Sequence, residues 1–303
     1  ILLFLGNLPQ MKKIFRKFPF DIIDAHFVYP DGFAAILFGK IFKKPVIISA
    51  RGSDINQYIT FPLIKKLIKY TLNNATTIIS VCQSLKNEMI QIGIPDKKIH
   101  VIPKGVDIHR FSLKDRVICR KRLHIRGKEN AILSVGGLIE RKGFHILIDA
   151  MKSISKENSN AHLYIIGEGP LRKELENRIM QHSLEKRVTL VGPIKNEELV
   201  NWYNSADVFC LASCREGWAN VIMEALACGC PAIATNVYGA PEIITEEFLG
   251  RLVERTPDAF AKAINDFLAK SKNNRNRIRG HVFSRDWDVV AREVDNVFLS
   301  VVN

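Results

Sequence analysis

Long hydrophobic runs are missing from this sequence. No apolar stretch approaches the ~20 residues that a membrane-spanning helix needs, so none of it reads as a helical span. The opening "ILLFLGN" is too short an apolar block for a secretory signal and has no charged lead. Low-complexity tracts are missing too, which excludes a disordered chain. The cysteines, Cys82, Cys119, Cys210, Cys214, Cys228 and Cys230, form no CxxC pair and no regular framework. That excludes a disulfide scaffold and suits a reducing compartment. Four of them fall between positions 210 and 230, a density that invites a zinc reading. Each of these instead reads as part of an apolar strand or as the neighbour of a helix-ending glycine, where a thiol packs as a small hydrophobe.

Acid is also in short supply: 31 Asp and Glu stand against 44 Lys and Arg, a formal charge of +13. The surplus is uneven. Residues 1–107 carry 15 basic and 7 acidic side chains (+8), and residues 108–303 carry 29 and 24 (+5). "MKKIFRKF", "GKIFKK" and "LIKKLIKY" interleave Lys with Ile, Phe and Leu. That mixture reads either as solvated helix faces or as an anionic membrane surface contact. No nucleic-acid motif accompanies the charge, so nucleic acid is not an expected partner.

What is present is ordinary globular composition, 47% hydrophobic and 25% charged over 303 residues, enough for about two domains at ~150 residues each. Short β-rich runs alternate with helical patterns. "DIIDAHF", "PVIISAR", "TTIISVC" and "IHVIPKG" form a first series, with helices at about 31–42, 61–74 and 83–92. From about residue 130 the rhythm restarts with "AILSVGG", "AHLYIIGEG", "VTLVG", "VFCLAS" and "PAIATN" as strands. Such alternation predicts parallel sheets covered on both faces. The expected division is a partial first domain over 1–107, a second over 108–284 and an amphipathic final helix over 285–303. That helix either closes the second domain or packs back on the first. Four strands are few for a doubly wound domain, and Ile1 rather than Met opens the chain. Both imply an amino-terminal portion outside this sequence.

Three loops sit where strands give way to helices: "GGLIERKG" (136–143), "GEGP" (167–170) and "CREGWAN" (214–220). In the third, a helix is expected from an N-capping Asn220 to Gly229. Its free N–H groups and positive dipole end suit a phosphate. Glu216 precedes that helix and Glu224 lies one turn inside it. Neither would touch phosphate, but both would accept bonds from hydroxyl groups on either side of one. Hydroxyls, then phosphates, then hydroxyls describe a nucleotide sugar. The competing reading makes Glu216 a turn residue and Glu224 a charge meeting the dipole. Lys142, after a Gly-rich turn at a helix start, would reach the same diphosphate. "GEGP" has two of the three glycines of a dinucleotide fingerprint and is weak evidence for one.

The run "VFCLASCREGWANVIMEALACGCPAIATNVYGAPEII" resembles the family 4 retaining glycosyltransferases of GT-B fold, with the E-x7-E pair at Glu216 and Glu224. "GGLIERKGFHILIDAM", "IIGEGPLRKELE", "VTLVGPIKNEELVNWYNSADV" and "VIPKGVDIHRF" match in order. The resemblance covers essentially the whole chain and is most specific over 131–245. It implies an α/β chain of two doubly wound Rossmann-like domains facing across a cleft. It also implies that Glu216 contacts donor-sugar hydroxyls and Glu224 the ribose. Backbone N–H groups of Trp218, Ala219, Asn220 and Val221 would hold the diphosphate with Lys142, Gly217 and Gly137 would also be donor-binding, and Gly192 would line the base pocket. No metal or other cofactor is expected. Departures stand at Gly137, where Arg is common, at Lys104, where Asn is usual, at Ala240, where Gly is frequent, and at Arg51, where many members place His. An Arg is no general base at neutral pH, so Arg51 would bind phosphate or orient an acceptor. His26 and Asp54 remain as acceptor-side groups.

The expected activity is hexosyl transfer, with retention, from a nucleotide sugar such as a UDP-sugar to a carbohydrate or lipid-linked acceptor in polysaccharide assembly. The expected place is the cytoplasm, peripheral on the inner face of its membrane. A nucleotide-sugar epimerase or hydrolase is the enzymatic alternative, and a truncated chain that binds nucleotide without catalysis is the non-enzymatic one.

Overall fold

The structure, a computed structural model, describes residues 2–269 and 274–302. In chain order the elements are α1 (Leu2–Lys17), β1 (Ile23–His26), α2 (Phe33–Phe42), β2 (Val46–Ala50), α3 (Ser53–Asn56), α4 (Pro62–Asn74), β3 (Thr77–Ser80), α5 (Gln83–Gln91) and β4 (Ile99–Val101). There follow α6 (Arg116–Arg122), β5 (Asn130–Val135), α7 (Phe144–Glu157), β6 (Ala161–Ile166), α8 (Arg172–Gln181), β7 (Val188–Gly192), α9 (Asn196–Ser205) and β8 (Val208–Leu211). The chain ends with α10 (Asn220–Ala227), β9 (Ala232–Thr235), α11 (Ala240–Ile243), β10 (Gly250–Val253), α12 (Pro257–Ala269), α13 (Arg275–Val282) and α14 (Trp287–Val302).

The chain packs as two units. The first takes residues 1–104, 216–218 and 287–303, and the second takes 105–215 and 219–286. Both are built on parallel sheets for one physical reason. Strands such as "VIISA", "TIIS", "VFCL" and "AIAT" are buried at every position, so each must be covered on both faces.

In the first unit the strand order is β1-β2-β3-β4. The last helix belongs here. Val290 and Val297, two turns apart on α14, pack with Ile47, Ile79 and Ile102. Periodicity alone allows that helix two possible homes. Helix α1, which the sequence marks only as a basic and apolar patch, encloses Pro9 and buries none of its residues. Its Phe4 and Phe15 rings meet Phe38 and Phe42 of α2.

In the second unit the order is β10-β9-β8-β5-β6-β7. The order runs one way from β5 and the other way from β8, so the loops after these two strands diverge at a switch point, the usual ligand crevice of an open α/β sheet. Amphipathic α7 covers one face with Phe144, Leu147, Ile148, Met151 and Ile154 at helical spacing. Cys210, Cys228 and Cys230 are buried, and burial raises the Cys230 thiol to about 12. Cys214 departs from the expected strand or helix-end placement and lies half-buried in a loop. Among the described residues, no helix is long and apolar enough to cross a membrane.

Candidate functional site

In the second unit, four loops at the carboxyl ends of the strands are stitched together by main-chain bonds. Leu138 N–H donates to Glu168 (2.9 Å), Leu171 N–H to Leu138 (3.1 Å) and Gly167 N–H to Gly192 (2.9 Å). Cys214 N–H donates to Arg141 (2.9 Å), which ties the loop after β5 to the loop before α10. Gly143 makes the closest approach. It has φ of 69°, and a Cβ there would strike the Ala212 carbonyl, so only glycine fits. Lys142 therefore ends a short turn beside the β8 loop, one residue before the cap of α7. Its Cε runs over Gly136, 3.4 Å from where a Cβ would stand. Gly137 is exposed, and a Cβ there would meet only the Glu168 carbonyl, at 3.8 Å.

Helix α10 begins one residue earlier than a capping Asn220 requires. Ala219 is the cap residue and contributes no side-chain bond, while Asn220 is the exposed first helical residue. The backbone donors of the first turn thus lack a side-chain cap, which suits an external acceptor. Glu224 follows one turn in. It is half-buried and accepts a bond from the Tyr203 hydroxyl (2.8 Å). Burial raises its pKa, while the Tyr203 bond and the charge of Arg110 act in the opposite sense. Tyr203 is fully buried on α9, edge-on to Phe111 and Phe209. Sequence reasoning missed Tyr203 because in "ELVNWYNSA" it reads as one more core position. The hydroxyl, five residues before the apolar start of β8's "VFCL", was the available signal. Ser213, in the β8 loop, has a buried hydroxyl without a hydrogen-bond partner in the structure.

The first unit gathers the remaining predicted residues at the carboxyl edge of its own sheet. His26 ends β1 and is 52% exposed. Its Nε2 lies 3.0 Å from Asp24, and its Nδ1 pairs with the Arg51 guanidinium. Arg51 Nε is buried and without a hydrogen-bond partner among the described residues, as is Trp218 Nε1. Residues 216–218 pack within this unit. Asn56 Nδ2 donates to the Glu216 carbonyl (3.4 Å), and a Cβ on Gly217 would strike the Arg51 carbonyl. Glu216 is 9% exposed. Lys104 is half-buried; burial lowers its pKa, as does Arg51, while Asp54 and Glu216 oppose that shift.

Asp54 corrects an expectation. Its carboxylate accepts main-chain N–H bonds from Val28 (3.0 Å), Arg51 (3.1 and 3.2 Å) and Gly52 (2.7 Å), and the residue has no exposed surface. It cannot touch an acceptor. It fixes the two loops that carry His26 and Arg51. Burial raises its pKa despite those bonds.

Residues 115–281 match the family model for glycosyl transferases group 1, and residues 1–110 match the model for Glycosyltransferase Family 4. The chain belongs to the group 1 glycosyl transferases. This glycosyl transferase is 32% identical over 231 residues to an uncharacterized glycosyltransferase, MJ1607, of Methanocaldococcus jannaschii, covering 73% of this chain and 59% of that one. It is 27% identical over 252 residues to the putative teichuronic acid biosynthesis glycosyltransferase TuaC of Bacillus subtilis, covering 82% and 61%. The chain thus spans about three fifths of the length of these curated relatives. Among solved structures, Anabaena Alr3699/HepE in complex with UDP superposes with a TM-score of 0.88 at 22% identity, over 98% of this chain and 84% of that one. Likeness at that identity shows the fold, two parallel-sheet α/β units of GT-B type.

Proposed function

We propose that this group 1 glycosyl transferase moves a sugar, with retention of configuration, from a nucleoside-diphosphate sugar to a saccharide or lipid-linked acceptor of a cell envelope. The observation that carries the reading is the start of α10, where backbone donors without a side-chain cap precede a half-buried carboxylate by one turn. Those donors, from Trp218 to Val221, bind the diphosphate together with Lys142. Glu224 accepts from the ribose hydroxyls and Glu216 from the sugar hydroxyls. The turn at Gly192 borders the base.

Cations and helix dipole offset the charge that builds on the leaving diphosphate, which is where such preorganised groups act most strongly. The departing phosphate takes the proton from the acceptor hydroxyl, so no carboxylate need act as base. Arg51, held against His26, orients the acceptor or the phosphate. The names of the relatives support polysaccharide assembly, and the UDP bound in Alr3699/HepE supports a uridine nucleotide. The first unit exposes Phe18, Phe61 and Leu63 among lysines, and this mixture supports peripheral docking on the anionic cytoplasmic face of a membrane.

A thermal-shift panel of UDP- and GDP-sugars, followed by transfer of a radiolabelled donor to membrane extract, tests the reading. Preferential binding of one nucleotide sugar raises the melting temperature, and labelled product appears with that donor alone. A full-length protein that binds none of the panel and labels no acceptor would refute it.

A further inference from the structure

Several arginines of the second unit sit against carboxylates. Arg116 and Arg120 pair with Asp207, Arg122 with Glu198, Arg172 with Glu168 and Glu176, Arg178 with Asp149 and Arg251 with Asp266. Elsewhere cations gather around a cavity without such partners. At the amino ends of β5, β6 and β7, the edge of the sheet opposite the loops described above, lies a cavity of ≈ 520 Å³. Four cations line it: Arg126, Lys128, Lys186 and Arg187. None of them forms an ion pair among the described residues. The one carboxylate of the lining, Glu129, accepts the Tyr164 hydroxyl at 2.6 Å.

An adjoining cavity of ≈ 670 Å³ shares Lys128 and Glu129 and adds Arg116, Arg120 and Lys121 with Asp207. Together the linings hold seven cations and two carboxylates, a surplus of +5. That equals the surplus of all residues 108–303, so the rest of that sequence is balanced. Arg116 and Arg120 share Asp207, but Arg126, Lys128, Lys186 and Arg187 have no ion-pair partner among the described residues, and their mutual repulsion would be offset by an anion that joins them.

The walls are firm. His162 stacks on Tyr164 with ring centroids 4.5 Å apart, and its Nε2 meets Thr189 Oγ1 at 2.8 Å. Burial lowers the His162 pKa, as do Arg187 and Arg126 while Glu129 opposes them, which leaves a neutral hydrogen-bonding ring among the cations at neutral pH. The volume falls in the ordinary range for small-molecule sites.

We infer that this cavity is a second anion site, which takes a phosphate-bearing ligand between the cations at the amino ends of β5, β6 and β7. Arg126 and Arg187 offer planar forks to phosphate oxygens, and Lys128 and Lys186 act as point charges. The site does not depend on the proposed transfer reaction and lies at the other edge of the sheet from it.

Pyrophosphate is the probe, titrated calorimetrically into the full chain carrying Lys142→Ala, so that the proposed donor site contributes little. One binding event is expected, and adding Lys128→Glu with Lys186→Glu, both at exposed positions, weakens it about tenfold. UDP binding to the chain with native Lys142 stays unchanged by the two reversals, which separates a failure here from a failure of the donor reading. Sedimentation with phosphatidate vesicles identifies the source. Pelleting that the double reversal abolishes assigns the phosphate to a lipid headgroup, and pyrophosphate binding without such pelleting assigns it to a soluble ligand. Pyrophosphate binding that is absent, or indifferent to both reversals, overturns the site.

Discussion

Each unit buries a carboxylate near the carboxyl edge of its sheet, and burial raises the pKa of both. Their surroundings differ. Asp54 is filled by main-chain donors from three residues and reaches no solvent. Glu224 accepts one side-chain bond among the described residues, from the Tyr203 hydroxyl, and stays half-buried. A carboxylate offers about four acceptor positions. Asp54 has used its own on the fold, while Glu224 keeps some for a ligand. Two acids with pKa shifts of one sign and one cause thus do different work, and counting their donors tells them apart.

The largest expected effect tests the filled acid. Asp54→Ala leaves several buried N–H groups unsatisfied and should cost about 3–5 kcal/mol of stability, read as a lower urea midpoint. A loss under about 1 kcal/mol would break the comparison. Glu224→Ala should do the reverse, weakening nucleotide affinity about 10- to 100-fold in calorimetry with a smaller loss of stability. Tyr203→Phe sharpens the point. It keeps the ring between Phe111 and Phe209 and removes one hydroxyl, for about 1 kcal/mol of stability and a several-fold loss of affinity.

Glu224→Gln tests the pKa direction. A folded value above the ordinary 4.5 favours the protonated acid. Its contribution to stability is full below 4.5 and falls as pH rises through the raised value. The wild type should therefore lose melting temperature relative to the Gln variant over that window, and the opposite slope would contradict the burial argument. The smallest effect is expected of Gly137→Arg. The position is open, so stability should change by less than about 0.5 kcal/mol, while an added guanidinium should tighten nucleotide diphosphate binding by a few-fold in the same calorimetric assay.

Much of this was legible beforehand. Strands such as "VIISA" and "VFCL" declare themselves because burial on both faces demands unbroken apolar runs. The start of α10 is marked by "EGWAN" and the turn before α7 by a glycine that must approach Ala212. The filling of Asp54 was hidden, since its donors are backbone groups that no side-chain pattern encodes. Tyr203 was hidden because a core helix position carries its hydroxyl. Helix α1 turns Phe4, Leu8, Met11 and Phe15 inward at helical spacing, and Pro9 within it masks that signal.

The assignment of α14 to the first unit has a consequence for synthesis. Val290 and Val297 complete a core whose other members, Ile47, Ile79 and Ile102, leave the ribosome some 190 residues or more earlier. The second unit, residues 105–215 and 219–286, lies wholly within that interval. Of these two units, the one whose strands emerge earlier is therefore completed after the other, and its sheet waits with an apolar face uncovered, the condition in which partly made chains call on chaperones.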